Sequence, residues 1–124
     1  MEDFLFRYAV LDHAVVDGDT VDLTLDLGFR ISVRDRFRLY GPDPTGSFGL
    51  DAPELSTPEG REAKDWLTAR LAGADLVVRT VKDRREKYGR PLAVLYALST
   101  ESGIVWKNVN AELLTAGHAD SKKY

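Results

Sequence analysis

Two short stretches of this chain concentrate acids beside turn residues. "VVDGDTVDL", from Val15 to Leu23, sets Asp17 and Asp19 around Gly18 at the entry to an alternating run. "LDAPE" sets Asp51 and Glu54 on either side of Ala52 and a stiffening Pro53. An Asp-Gly turn accounts for Asp17 and leaves Asp19 without a turn role. Asp19, Asp51 and Glu54 together would offer hard oxygen ligands, suited to calcium or magnesium and not to zinc. Each alone reads equally well as a turn former or an acid at a helix start, where Glu54 would complement the helix dipole. Two arginines extend the set: Arg38 ends an arginine-rich stretch, and Arg90 lies in "KYGRP" at the entry to an apolar run. An oxygen-bound cation, a spare carboxylate and two forked guanidiniums make a set that cleaves phosphodiesters. The cation and arginines stabilise charge on phosphate oxygens, and the spare carboxylate orients or deprotonates water.

These residues need a scaffold, and the pattern supplies one. "FRYAVL" and "HAVVDGDTVDLTLDL" read as strands, the second with Val21, Leu23, Leu25 and Leu27 alternating with Asp22, Thr24 and Asp26. "RISVRDRFRLY" is the next strand, and "GPDPTGSFG" is loop. A helix follows, capped by Ser56 or Thr57, with Pro58 in its first turn and Gly73 at its end. Ala63, Trp66, Leu67 and Leu71 form its apolar stripe. "DLVVRTV" and "PLAVLYAL" are strands, "STESG" is a turn, and Asn110 to Ala116 is a short helix ended by Gly117. About five strands, with a helix after the third and a short one near the C-terminus, predict a mainly β (α+β) fold: a small closed barrel of OB type. Trp66 is assigned to the helix face, Trp106 to barrel or rim packing, and His13 and His118 to ordinary polar roles. Asn108 and Asn110 are assigned to backbone groups near the second helix.

Composition narrows the classes. The 124 residues suit one domain, 1–124, and are 44% hydrophobic and 30% charged. With no cysteine, disulfides, thiolate zinc sites and cysteine nucleophiles are excluded. No apolar run approaches a membrane span, and "MEDFLFRYAV" lacks a basic leader, so a cytoplasmic protein is expected. Net charge is -3, which alone does not suggest a nucleic-acid partner. Its distribution is more informative. Arg30, Arg34, Arg36 and Arg38 share one face of their strand, and six basic residues lie between Arg79 and Arg90. Both stretches read as local cationic patches, for which a solvated face is the ordinary role.

The stretches "VVDGDTVDL", "RLYG…LDAPE", "TPEGREAKDWL", "KYGRPLAVLY" and "VNAELLTAGHA" resemble the staphylococcal nuclease (thermonuclease) family in order and spacing, over nearly the whole chain. The resemblance implies an OB-fold barrel and a calcium-dependent nuclease acting on single-stranded DNA and RNA, as a monomer, with 3′-phosphate products. By the family pattern, Asp19, Asp51 and the backbone carbonyl of Ala52 would hold Ca2+. Glu54 would act on the attacking water, as general base or as its positioner. Arg38 and Arg90 would bind the phosphate and stabilise its five-coordinate transition state. Lys87 and Tyr88 would flank the bound nucleotide, and Tyr124 loosely matches an aromatic that packs on a base.

Departures from the pattern are local. "LYGPDPTGSFGL" separates Arg38 from Asp51, about eight residues more than the family spacing, so 41–49 is expected to be an inserted loop, with Asp43 a weak additional carboxylate. The chain stops soon after "GHADSKKY", where well-known members continue into a further helix; this fits a compact phage-like or bacterial form or a truncation. The rival function is a catalytically impaired OB-fold module that binds nucleic acid or protein. A third reading keeps the barrel only as a partner-binding scaffold, on the strength of the acidic net charge.

Overall fold

The structure, a computed structural model, describes residues 7–40, 48–85 and 89–123, with backbone alone at 48, 81–85 and 121–123. In chain order the elements are β1 (Arg7–Asp17), β2 (Thr20–Asp26), β3 (Ser32–Leu39), β4 (Phe48–Asp51), α1 (Pro58–Leu71), β5 (Leu76–Arg85), β6 (Pro91–Ser99), β7 (Val105–Asn108), α2 (Val109–Thr115) and β8 (Asp120–Lys123). Antiparallel pairing runs β3-β2-β1-β5-β6-β7, and a parallel pairing of β3 with β6 closes β1, β2, β3, β6 and β5 into a five-stranded barrel. That closing seam is short, formed by Arg38↔Leu92 and Leu39↔Ala93. The expected barrel is therefore present. It carries three further short strands: β7 extends β6, and β4 pairs with β8 beside the barrel. The first two strand readings are redrawn: Arg7–Leu11 of "FRYAVL" and "HAVVD" run together as β1, with irregularities at Val10/Asp12 and Val15/Asp17, and "HAVVDGDTVDLTLDL" is broken at Gly18–Asp19, after which β2 begins.

Alternation drives the closure. Val21, Leu23 and Leu25 are buried while Asp22 and Thr24 between them stay partly accessible. Directly opposite residues share a face. On the outer face, Asp22 pairs with Arg36 and Thr24 with Arg34. The charge run of β3 is thereby largely neutralised: Arg36 donates to Asp22 at 2.8 and 3.2 Å, and Arg34 donates to Thr24 at 2.8 Å and Asp12 at 3.3 Å. The Arg36 hydrogen bonds hold the Asp22 carboxyl below its ordinary range. The expected cationic patch at 30–38 is instead mostly a ladder of cross-strand pairs, because β2 carries acids at the same two-residue period.

Helix α1 begins at the expected cap: the Thr57 hydroxyl accepts from the Gly60 N–H at 3.0 Å, and Gly73 after the helix has φ +68°. Ala63, Leu67 and Leu71 are fully buried, and Trp66 packs half-buried with its ring 5.5 Å from that of His118. Trp106 lies on the outermost strand β7 and is 43% exposed, a rim position. Among the described residues no helix is long and apolar enough to cross a membrane.

One buried polar side chain ties the closing seam to α2. Asn110 is fully buried, donates to the Tyr40 carbonyl at 2.6 Å and the Ala93 carbonyl at 3.1 Å, and accepts from the Leu95 N–H at 3.0 Å. Asn108, two residues earlier, caps α2 by accepting from the Ala111 N–H. Replacing Asn110 by alanine strands the Leu95 N–H away from water and removes a donor from the Tyr40 and Ala93 carbonyls. The expected loss in urea denaturation is about 3 kcal/mol, more than an ordinary hydrogen bond contributes.

Candidate active site

The β1–β2 turn is two residues long, Gly18 and Asp19, with Asp17 opposite Thr20. The Asp17 carboxylate accepts from the Asp19 N–H at 3.0 Å, so Asp17 does shape the turn. Gly18 is required by space and not by a left-handed backbone. A Cβ there would stand 2.7 Å from the Ala52 Cβ and 2.8 Å from that of Ala63 on α1. The turn is thus pressed against the DAPE segment, and Asp19 enters the space between them.

Asp19 is the hub. Its side chain is 10% exposed. Oδ1 accepts from the Thr20 hydroxyl at 2.9 Å, and Oδ2 accepts from the Ala52 N–H at 2.8 Å. Arg38 Nη2 stands 3.3 Å from Asp19 Oδ2 and 3.3 Å from Asp51 Oδ1. The same guanidinium donates to the Leu50 carbonyl through Nε at 3.2 Å and Nη2 at 2.8 Å. Arg90 Nη1 reaches the Thr20 hydroxyl at 3.5 Å. Asp51, Arg38, Asp19, Thr20 and Arg90 therefore form one connected chain of polar contacts, drawn from β4, β3, the β1–β2 turn, β2 and the residue just before β6.

Burial pushes the Asp19 carboxyl up to about 6, reinforced by its hydrogen bond with Asp17; the Ala52 N–H and the Arg38 charge pull the other way. For Asp17, burial acts upward too, but hydrogen bonds from Asp19 and Thr20 outweigh it and the carboxyl is lowered. One acid of this pair is held as the hydrogen-bonded neighbour of the other, an arrangement that extra positive charge relieves.

Glu54 follows on the exposed rim, and its side chain makes no hydrogen bond or ion pair among the described residues. Its backbone is fixed. The Glu54 carbonyl accepts from the Thr57 N–H at 2.9 Å and the Thr57 hydroxyl at 2.7 Å, which clamps it beneath the first turn of α1. Gly60 in that turn touches it so closely that a Cβ at 60 would overlap the Glu54 carbonyl group. Gly60→Ala is expected to push Glu54 outward. Weakened hydrogen-exchange protection of the Thr57 amide, with native circular dichroism retained, would match that displacement; unchanged protection would show that the clamp survives.

The structure thus brings together Asp19, Arg38, Asp51, Ala52 and Arg90, with Glu54 next to them on the same segment. Ala52 meets Asp19 through its N–H. Lys87, Tyr88, Tyr124 and Asp43 lie outside the described residues, as do 41–47 of the expected insertion; Phe48 and Gly49 belong to β4. Sequence reasoning missed Thr20, the link from Arg90 to Asp19, and the Thr57–Gly60 clamp. "DGDT" and "ELSTPEG" contain both, but only the contacts give them these roles.

A family profile described as Staphylococcal nuclease homologue matches residues 47–124, more than half of the chain. The chain belongs to the staphylococcal nuclease homologue family. The matched region carries Asp51, Ala52, Glu54 and Arg90 of the candidate site, while Asp19 and Arg38 precede it and join it through the contacts above. A search of curated proteins returned no significant match.

Proposed function

We propose that this chain is a calcium-dependent nuclease that hydrolyses phosphodiester bonds of single-stranded DNA and RNA as a monomer. The observation that carries the reading is the convergence of Asp19, Arg38, Asp51 and Arg90 on one polar network beside an unencumbered Glu54.

The donor set fits a hard divalent cation. Asp19 and Asp51 both meet a single guanidinium nitrogen, so one positive centre already lies between them. Asp19 is held in a buried position where added positive charge favours its ionised form. Among the described residues no group of three or more acids or histidines clusters for a metal, so water would complete the shell around Asp19, Asp51 and the Ala52 carbonyl. When bound, calcium would neutralise phosphate charge and polarise the phosphoryl oxygen.

The chain's own groups do the rest. Glu54, exposed and fixed at its backbone, accepts a proton from water or orients it toward phosphorus. Arg38 and Arg90 offer forked donors to the non-bridging oxygens, whose charge grows in the five-coordinate transition state. Water's oxygen bonds to phosphorus, the bond from phosphorus to the 5′ oxygen breaks, and the 5′ oxygen takes up a proton. The products are a 3′-phosphate and a 5′-hydroxyl.

Heat-denatured DNA at low salt, with millimolar calcium or with chelator, tests the reading. Expected is calcium-dependent cleavage that falls about 100-fold in Glu54→Gln. Retained oligonucleotide binding with no turnover at any calcium concentration would instead establish a non-catalytic OB-fold binding module.

A further inference from the structure

Strand β3 carries arginines that this reaction does not use. Arg36 and Arg34 share the face of Arg38, at successive two-residue steps of about 6.6 Å. Arg36 commits Nε and Nη2 to Asp22, leaving Nη1; Arg34 commits Nη1 to Asp12 and Thr24, leaving Nε and Nη2. Their side chains are 54% and 47% exposed. Beyond them, at the β2–β3 turn, Arg30 is exposed and makes no hydrogen bond or ion pair among the described residues.

The turn itself holds an aromatic ring out to solvent. Gly28, Phe29 and Arg30 all have left-handed φ, at +81°, +54° and +64°. This conformation is unfavourable for phenylalanine and arginine, so the surrounding structure must impose it. It does so through three hydrogen bonds: Leu27 N–H to the Ile31 carbonyl at 2.9 Å, Ile31 N–H to the Gly28 carbonyl at 2.9 Å, and Gly28 N–H to Asp26 at 2.8 Å. Phe29 is 97% exposed.

We propose that the outer face of β3 is a track for the part of a single-stranded nucleic acid remote from the scissile bond. Phosphates lie against Arg36, Arg34 and Arg30, and a base stacks on Phe29. The proposal rests on the nuclease reading above. Three features favour this occupant. The row is continuous with Arg38 in the site. An exposed aromatic beside arginines is the sequence-tolerant combination that binds single strands. From Arg38 to Ser32 the strand spans about 20 Å, room for a few nucleotides before the turn that carries Arg30 and Phe29. Because Asp22 and Asp12 offset part of the arginine charge, counterion release is small, and stacking on Phe29 supplies most of the added affinity.

The test uses the full chain and two substrates: a p-nitrophenyl phosphodiester of thymidine, which covers little beyond the reacting centre, and a 12-nucleotide oligothymidylate. Binding of the fluorescent 12-mer is also followed in chelator, where no hydrolysis occurs. Phe29→Ala is expected to raise KM and Kd for the 12-mer about 10-fold, with the effect confined to that substrate and its salt dependence unchanged. Arg36→Gln is expected to lower the slope of log Kd against log salt by less than about 0.7, the value for an arginine without an acidic partner, because Asp22 already offsets part of its charge. Unchanged 12-mer KM and Kd in Phe29→Ala would overturn the track and assign the tip to another partner. If the wild-type chain cleaves neither substrate, the nuclease reading fails, and the chelator binding series still decides the track.

Discussion

Arg38→Ala is expected to lower the hydrolysis rate about 1,000-fold and to cost the fold about 3 kcal/mol. The two losses have different origins. On the proposed nuclease reading, catalysis would lose a forked donor to the phosphate. The fold loses the cation shared by Asp19 and Asp51 and the two donors that satisfy the Leu50 carbonyl. Asp51 is 51% exposed and remains hydrated, so most of the stability loss falls on Asp19, whose side chain is 10% exposed. Removing one partner of a buried charge pair is costly because the other remains. Calcium separates the two effects. In urea denaturation, millimolar calcium should stabilise Arg38→Ala more than wild type, since the uncompensated carboxylates then gain a cation. It should restore none of the activity. Equal stabilisation of both proteins would mean that the cation does not bind at Asp19 and Asp51.

Asp19→Asn should move stability and function in opposite directions. Asp19 has an ordinary pKa of 3.8 and a folded-state value near 6. A carboxyl raised on folding contributes stability below about pH 4 that is lost as pH rises through 6. At pH 7 the ionised group costs about 2 kcal/mol relative to its neutral form, after discounting for the opposite shift of Asp17. The asparagine variant avoids that cost. It should be about 1–2 kcal/mol more stable than wild type at pH 7.5 in chelator, and the gain should vanish near pH 4. Calcium binding should be lost, and hydrolysis should fall at least 1,000-fold. In the wild type, calcium binding should weaken as pH falls through 6 and release protons when measured there. A destabilised Asp19→Asn at neutral pH would overturn this account.

The sequence made the parts of the site legible and left their junctions hidden. Asp19, Asp51 and Arg90 stand in short patterns whose residue types announce their chemistry, and strand alternation at Val21, Leu23 and Leu25 announces the barrel wall. Thr20 and Gly60 carry no such signal, and Thr57 announces only its cap, because their roles at the site come from partners in other elements or from space that only the folded chain defines. Gly18 looked like a turn glycine and is one whose missing Cβ lets Ala52 and Ala63 approach. The arginines of β3 looked like a cationic face. Their neutralisation by Asp22 and Asp12 depends on strand register, which the run itself does not state. β4 and β8, four residues each, fall below the length at which alternation speaks.

The short closing seam has a consequence for when the site exists. Arg38 is one of its two residues on β3, and Arg90 immediately precedes the strand that joins it. A chain with β1, β2 and β3 assembled but the seam open holds Asp19 and Arg38 apart from Arg90. On the proposed nuclease reading such an intermediate would be inert, however native its hairpins are. Turnover therefore reports the final long-range closure, a step whose loop-closure entropy makes it late. If the seam opens more readily than the barrel as a whole unfolds, activity and seam-amide protection from hydrogen exchange are lost together, ahead of the global transition. On the proposed nuclease reading, a chain with an open seam would leave the polymers around it uncut.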